Sequence, residues 1–222
     1  MKIIITLAIT IFACLNLYSQ NTYVFLGSFN WDKTTEGIYV YQLDTISGKL
    51  SKITSVKGVL NPSFLSLSPN GKYVFACTES KTQNSGSVSS FEFKPNSKTL
   101  TFINSQKSCG ENPVYVAAHK NGRWLINGNY TEGSVSVYPV SENGIIKPIA
   151  QNFQFKEGSM DQERQDRSHI HSAVFSPNFD YVFLPDLGAD KIRCYKFENE
   201  KGKPLEIAEK PFTRTTLGSG PR

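Results

Sequence analysis

The chain has 222 residues, 39% of them hydrophobic and 12% aromatic, with a formal net charge of +5 at pH 7. Such a composition supplies a packed core and excludes a disordered polypeptide. Its lysines and arginines are spread out with no run among them, which argues against a nucleic-acid tract and leaves room for small anionic ligands.

The first element is "MKIIITLAITIFACLNLYSQ", one lysine followed by an apolar run and then small and polar residues. It reads as a secretory signal peptide over 1–20, too short and wrongly flanked for a retained membrane span. "IFAC" has a faint lipoprotein character that would make Cys14 a lipid anchor, although Phe12 fits such a site poorly. Export to the periplasm or the cell exterior is expected in either case. Past the leader stand Cys77, Cys109 and Cys194, too widely spaced for a disulfide framework or a zinc site. Cys77 and Cys194 lie in apolar strand patterns and read as small buried hydrophobes.

From residue 21 onward the chain repeats itself. "NPSFLSLSPNGKYVFACTE" from Asn61, "NPVYVAAHKNGRWLINGNY" from Asn112 and "HIHSAVFSPNFDYVFLPDL" from His169 share one pattern. Each is a short apolar strand, a turn on Asn or Pro, and a second apolar strand ending in polar residues. A third strand follows in "GSVSSFEF", "GSVSVYPV" and "DKIRCYKF", with "GIYVYQL" earlier in the same series, at successive offsets of 49, 47 and 57 residues. Fourth strands such as "GKLSKITSV" and "KTLTFINSQ" close the units. Four short strands per repeat of this length, with no helical periodicity beyond the leader, predict an all-β propeller of four-stranded blades over 21–222. The domain begins on a second strand, "TYVFLGS", and "GSGPR" repeats the lead-in to a further innermost strand. The expectation is therefore the N-terminal part, about four blades, of a larger propeller.

Propeller topology sends two kinds of loop to one mouth of the central channel. The loops entering the innermost strands carry Asn61, Asn112, His169 and Arg222. Those joining second and third strands carry Glu79, Asn129 and Tyr130, and Asp186 and Asp190. His169 and His171 share one face of their strand because side chains two apart point the same way. Arg164 lies in the longest loop with Gln165, and with Arg222 could form a cationic rim for a carboxylate or phosphate. The chemistry suggested is attack of water on an ester or lactone, with a histidine as base and a guanidinium at the oxyanion. Blander readings stand beside these: histidines capping loop carbonyls, Glu79, Asn129 and Asp190 stabilising turns, and "NYT" as an idle glycosylation sequon. His119 lies at the far side of its strand and reads as structural, and Trp31 and Trp124 read as packing residues. No metal site, P-loop, dinucleotide fingerprint or Ser-His-Asp order is visible.

"NPSFLSLSPNGKYVFACTE", "GNYTEGSVSVYPV", "RQDRSHIHSAVFSPNFDYVFLPDLGADKI" and "GSGPR" together closely resemble the lactonase family of seven-bladed propellers, whose best-known members are 6-phosphogluconolactonases. The resemblance runs through residues 22–222. It implies hydrolysis of a sugar lactone to its acid with no cofactor and no metal. Matched by position, His171 and Arg222 lead as catalytic residues with His169 beside them. Glu79, Asn129, Tyr130, Arg164, Gln165, Asp186 and Asp190 are implied around the substrate. The family's further site residues come from later blades, so this stretch alone is expected to be inactive. An exported member suits an unphosphorylated aldonolactone as well as a phosphorylated one. A lactonizing cycloisomerase and an exported carbohydrate- or protein-binding propeller are the alternatives.

Overall fold

A computed structural model describes residues 21–222. The expected signal peptide and the Cys14 anchor lie outside the described residues. Blade 1 is a three-stranded sheet of β1 (Thr22–Gly27), β2 (Ile38–Leu43) and β3 (Leu50–Val56). Blade 2 holds β4 (Phe64–Leu67), β5 (Tyr73–Thr78), β6 (Ser87–Lys94) and β7 (Thr99–Lys107). Blade 3 holds β8 (Pro113–Ala118), β9 (Trp124–Asn129), β10 (Ser134–Pro139) and β11 (Gln151–Gln154). Blade 4 holds β12 (Val174–Phe175), β13 (Tyr181–Asp186), β14 (Lys191–Phe197) and β15 (Leu205–Arg214). Every pairing is between consecutive strands and antiparallel, which is the meander expected of blades.

The strands can be buried on both faces because each blade is sandwiched between neighbours. Along β5, Val74 and Ala76 enter one apolar cluster with Ile38 and Val40 of blade 1, whereas Phe75 and Cys77 enter another with Val116 and Leu125 of blade 3. Along β9, Leu125 belongs to that second cluster and Ile126 packs with Val182 and Leu184 of blade 4. Period-two alternation thus allots successive side chains to two different cores. Burial of each large apolar side chain contributes about 1.5–3 kcal/mol. The imperfect alternation of the third strands also has a local cause. The ladder from the third strand to the fourth slips at Val40/Tyr41 in blade 1, Ser90/Phe91 in blade 2 and Arg193/Tyr195 in blade 4.

The turns opposite the mouth are superposable in kind. Gly71 and Gly122 take left-handed φ of 68° and 70° in "PNG" and "KNG". Blade 4 has Phe179 at φ 63° instead. That strained residue sets its ring against Phe175 and against His119, which lies buried, stacks on Phe197 at 4.8 Å and bonds the Phe179 carbonyl. His119 is structural, as its position suggested. Trp124 also packs in this core, but Trp31 does not pack inside as expected. It stands 63% exposed at φ 53° on the β1–β2 loop, stacked on Phe29. Of the cysteines in the blades, Cys77 is buried and Cys109 exposed; Cys194 is half-buried rather than buried, because β14 turns it away from the apolar cluster. Among the described residues no helix is long and apolar enough to cross a membrane.

Candidate active site

Blade 4 and its entry loop build the site. The Ile170↔Asp186 bridge, with His171 N–H donating to the Pro185 carbonyl and Leu187 N–H to the His169 carbonyl, extends strand pairing back to His169. Ile170 therefore points into the core, and His169 and His171 share the opposite side. Tyr130, from the β9–β10 loop of blade 3, meets both histidines. Its ring stacks on His169 at 4.3 Å and 7°, and stands edge-on to His171 at 5.9 Å and 86°.

The two histidines differ in their freedom. His169 is buried, its Nδ1 is 2.8 Å from the Tyr130 carbonyl and its Nε2 is 3.5 Å from Asp166. Its Nδ1 is thus held by a backbone carbonyl, with a carboxylate near its Nε2. The half-buried His171 ring has no hydrogen bond to another residue among the described ones. Burial lowers its pKa from the ordinary value, and the Arg222 and Arg164 charges lower it further against a bond to its own backbone. At neutral pH it is a neutral imidazole with a free nitrogen. Arg164 and Arg222 line one open cavity of about 190 Å³ with Asp161, Gln165, Leu187 and the Gly218–Gly220 backbone.

The two aspartates of "PDLGAD" lie beneath this surface instead of lining it. Asp186 is fully buried and accepts from Ser168 Oγ, the His169 amide at 2.9 Å, the Ala189 amide at 3.2 Å and Arg193 at 2.8 Å. Arg193 also bonds Glu157 at 2.8 Å and lies 3.9 Å over the Phe155 ring. Partial burial pushes the Glu157 carboxyl up, but Arg193 and Lys191 outweigh it and bring it down to about 2. Asp190, also fully buried, accepts from Ser159, Gln165, and the Gly218 and Gly220 amides. Those bonds outweigh its burial and hold it at about 2. Gln165 is buried, and its amide nitrogen donates to Asp190 and to the Leu187 carbonyl.

Asn129 is fully buried inside blade 3, donating to the Ser108 carbonyl and Ser134 and accepting from Asn127. Glu79 turns back along blade 2 at φ 58°. There it accepts from Ser85 and Ser87, lies 3.5 Å from Lys107, and lines a separate cavity of about 160 Å³ with Lys33 and Thr78. Burial raises the Glu79 carboxyl, and the serine bonds and Lys107 lower it by more. The structure thus brings His171, His169 and Tyr130 into contact and gathers Arg164, Gln165 and Arg222 around one cavity, and it sets Glu79 and Asn129 apart from both groups. Arg193, Glu157 and Ser159 support the cluster and had not been singled out. The available signal was Lys191 and Arg193, two cations two apart on the face of β14 that also carries Tyr195 and Phe197.

A family described as "Lactonase, 7-bladed beta-propeller" matches residues 23–222. The chain belongs to this lactonase family. A 6-phosphogluconolactonase of Formosa agariphila is 38% identical over 90% of this chain and 56% of its own length. One of Bacillus subtilis is 32% identical over 85% and 52%. The solved structure of a periplasmic gluconolactonase of Pseudomonas aeruginosa superposes with a TM-score of 0.82 at 33% identity, over 91% of this chain and 57% of that one. The lactonase chain described here thus spans about half the length of the curated relatives it matches. Among its described residues no group of three or more His, Cys, Asp and Glu is placed to hold a metal ion.

Proposed function

We propose that the propeller to which this chain contributes hydrolyses a sugar lactone to the open-chain acid at the mouth built by blade 4, and that it does so outside the cytoplasm. The observation that carries the reading is the His171 imidazole, half-buried, neutral, unpartnered by other described residues and under the positive charge of Arg222 and Arg164. His171 takes a proton from water as the water oxygen bonds the lactone carbonyl carbon. Arg222 stabilises the oxyanion that forms. Collapse breaks the bond from that carbon to the ring oxygen, which receives the proton back from the imidazolium. One water is consumed and His171 returns to its neutral state. Tyr130 and His169 wall the site, and Arg164 meets a carboxylate or phosphate of the substrate. The names of the Formosa and Bacillus relatives support a phosphorylated substrate. The leader pattern of residues 1–20 and the name of the Pseudomonas protein support an exported enzyme for a gluconolactone.

The test is opening of glucono-δ-lactone and of 6-phosphogluconolactone by the protein carrying all the blades of the family, with spontaneous hydrolysis subtracted. His171→Ala and Arg222→Ala should each lower kcat/KM by about 10²-fold or more, the scale of one lost acid–base or oxyanion group. Unchanged turnover in both variants would sink the mechanism. Saturable binding with no turnover by the wild-type protein would make it a binding propeller.

A further inference from the structure

Three stretches far apart in sequence meet at one buried carboxylate. Asp190 sits at φ 49° at the end of the β13–β14 turn, fully buried, and its own carbonyl accepts from the Thr215 amide. One of its carboxylate oxygens accepts from Ser159 Oγ at 2.6 Å and the Gly218 amide at 2.7 Å. The other accepts from Gln165 Nε2 at 2.8 Å, the Gly220 amide at 2.9 Å and, longer, Ser219 Oγ at 3.4 Å. Arg164 is the neighbour of Gln165, and Arg222 stands two residues beyond Gly220. Both arginines line the cavity whose wall is Gln165 and the Gly218–Gly220 backbone.

We infer that Asp190 is a positioning residue, which clamps the 159–165 loop and the 218–220 segment together so that Arg164 and Arg222 face one cavity. It is placed too deep to touch substrate. A neutral side chain of the same shape could not serve all these donors, since an amide offers one acceptor oxygen and a competing N–H₂. The charge is what lets one side chain hold two independent segments. Without it the two guanidiniums, which sit on loops and carry no ion pair among the described residues, would separate.

The inference rests on the reading of His171 as the working base, but its readout needs no turnover. The charges that lower the His171 pKa are Arg222 and Arg164 from the two clamped segments, and the Tyr130 ring stands edge-on to it. The titration of His171, followed by NMR of the ¹³C-histidine-labelled full-length protein and assigned by its loss in His171→Asn, therefore reports the arginines. In Asp190→Asn it should move upward by about half a pH unit, as two positive charges withdraw. Gln165→Met, which frees only the Arg164 loop, should move it in the same direction by less. Ser90→Ala breaks a buried bond from blade 2 to the Gly144 carbonyl of blade 3, and lowers stability without moving it. A folded Asp190→Asn protein in which His171 titrates as in the wild type would overturn the inference. If that variant does not fold, an unmoved titration in Gln165→Met would overturn it. An upward shift in a protein that opens no lactone would retire the proposed function and leave the clamp standing.

Discussion

His171 and His169 are two residues apart and nearly opposite in use, and the difference is one of hydrogen bonding. His169 has its Nδ1 bound to the Tyr130 carbonyl and its ring stacked on that residue, so it is a spacer that holds Tyr130 upright. His171 stays free and is kept neutral by burial and by the two arginines. The sign for catalysis follows: a base with a depressed pKa remains deprotonated as the pH falls below 6.5, so the acid limb of kcat/KM should lie below that of an ordinary histidine. Arg164→Ala removes one positive charge and should shift this limb upward, which a pH–rate profile would register. The pairing of the histidines on one face was legible from their spacing alone. The division of labour between them was not, because it depends on a backbone carbonyl of Tyr130, thirty-nine positions away. Glu79, Asp186 and Asp190 show the other limit. Loop position announced that they lay at the mouth end, but carboxylates in tight turns turn toward backbone amides, hydroxyls and cations when these are closer than solvent.

At the scale of elements the repeats foretold most of what is seen, since alternation and Asn–Gly turns are local signals. Slips in the ladder were hidden because a bulge adds one residue without altering composition. The β13–β14 turn shows how closely one element can shape another. A Cβ at Gly188 would lie 1.7 Å from the Arg167 carbonyl oxygen and 3.0 Å from the His169 amide. Gly188→Ala must therefore push away the backbone that presents both histidines. Stability should fall by about 1–3 kcal/mol, the scale of overpacking, and lactone opening should fall with it. Gly202→Ala, which meets nothing within 4 Å, should leave the Tm in place. Thermal melts of the two variants make the comparison.

Over the whole molecule, stability lies in interfaces between consecutive blades, and blade 4 adds ionic links to its apolar cluster. Glu157 and Asp190 have folded-state pKa values of about 2 against ordinary values of 4.5 and 3.8. Their contribution is complete above the ordinary values and is lost as the pH falls from about 4.5 toward 2. Urea midpoints measured across that window should drop, and Asp190→Asn should flatten the dependence. Identical slopes in variant and wild type would contradict this assignment.

The Asp190 clamp also has a temporal meaning. Blades 2 and 3 each close from strands that leave the ribosome one after another, so each can form as it is made. The clamp cannot, because the amides of Gly218 and Gly220 are made well after the carboxylate they bind. A nascent chain thus carries a shaped histidine pair before it has a placed arginine.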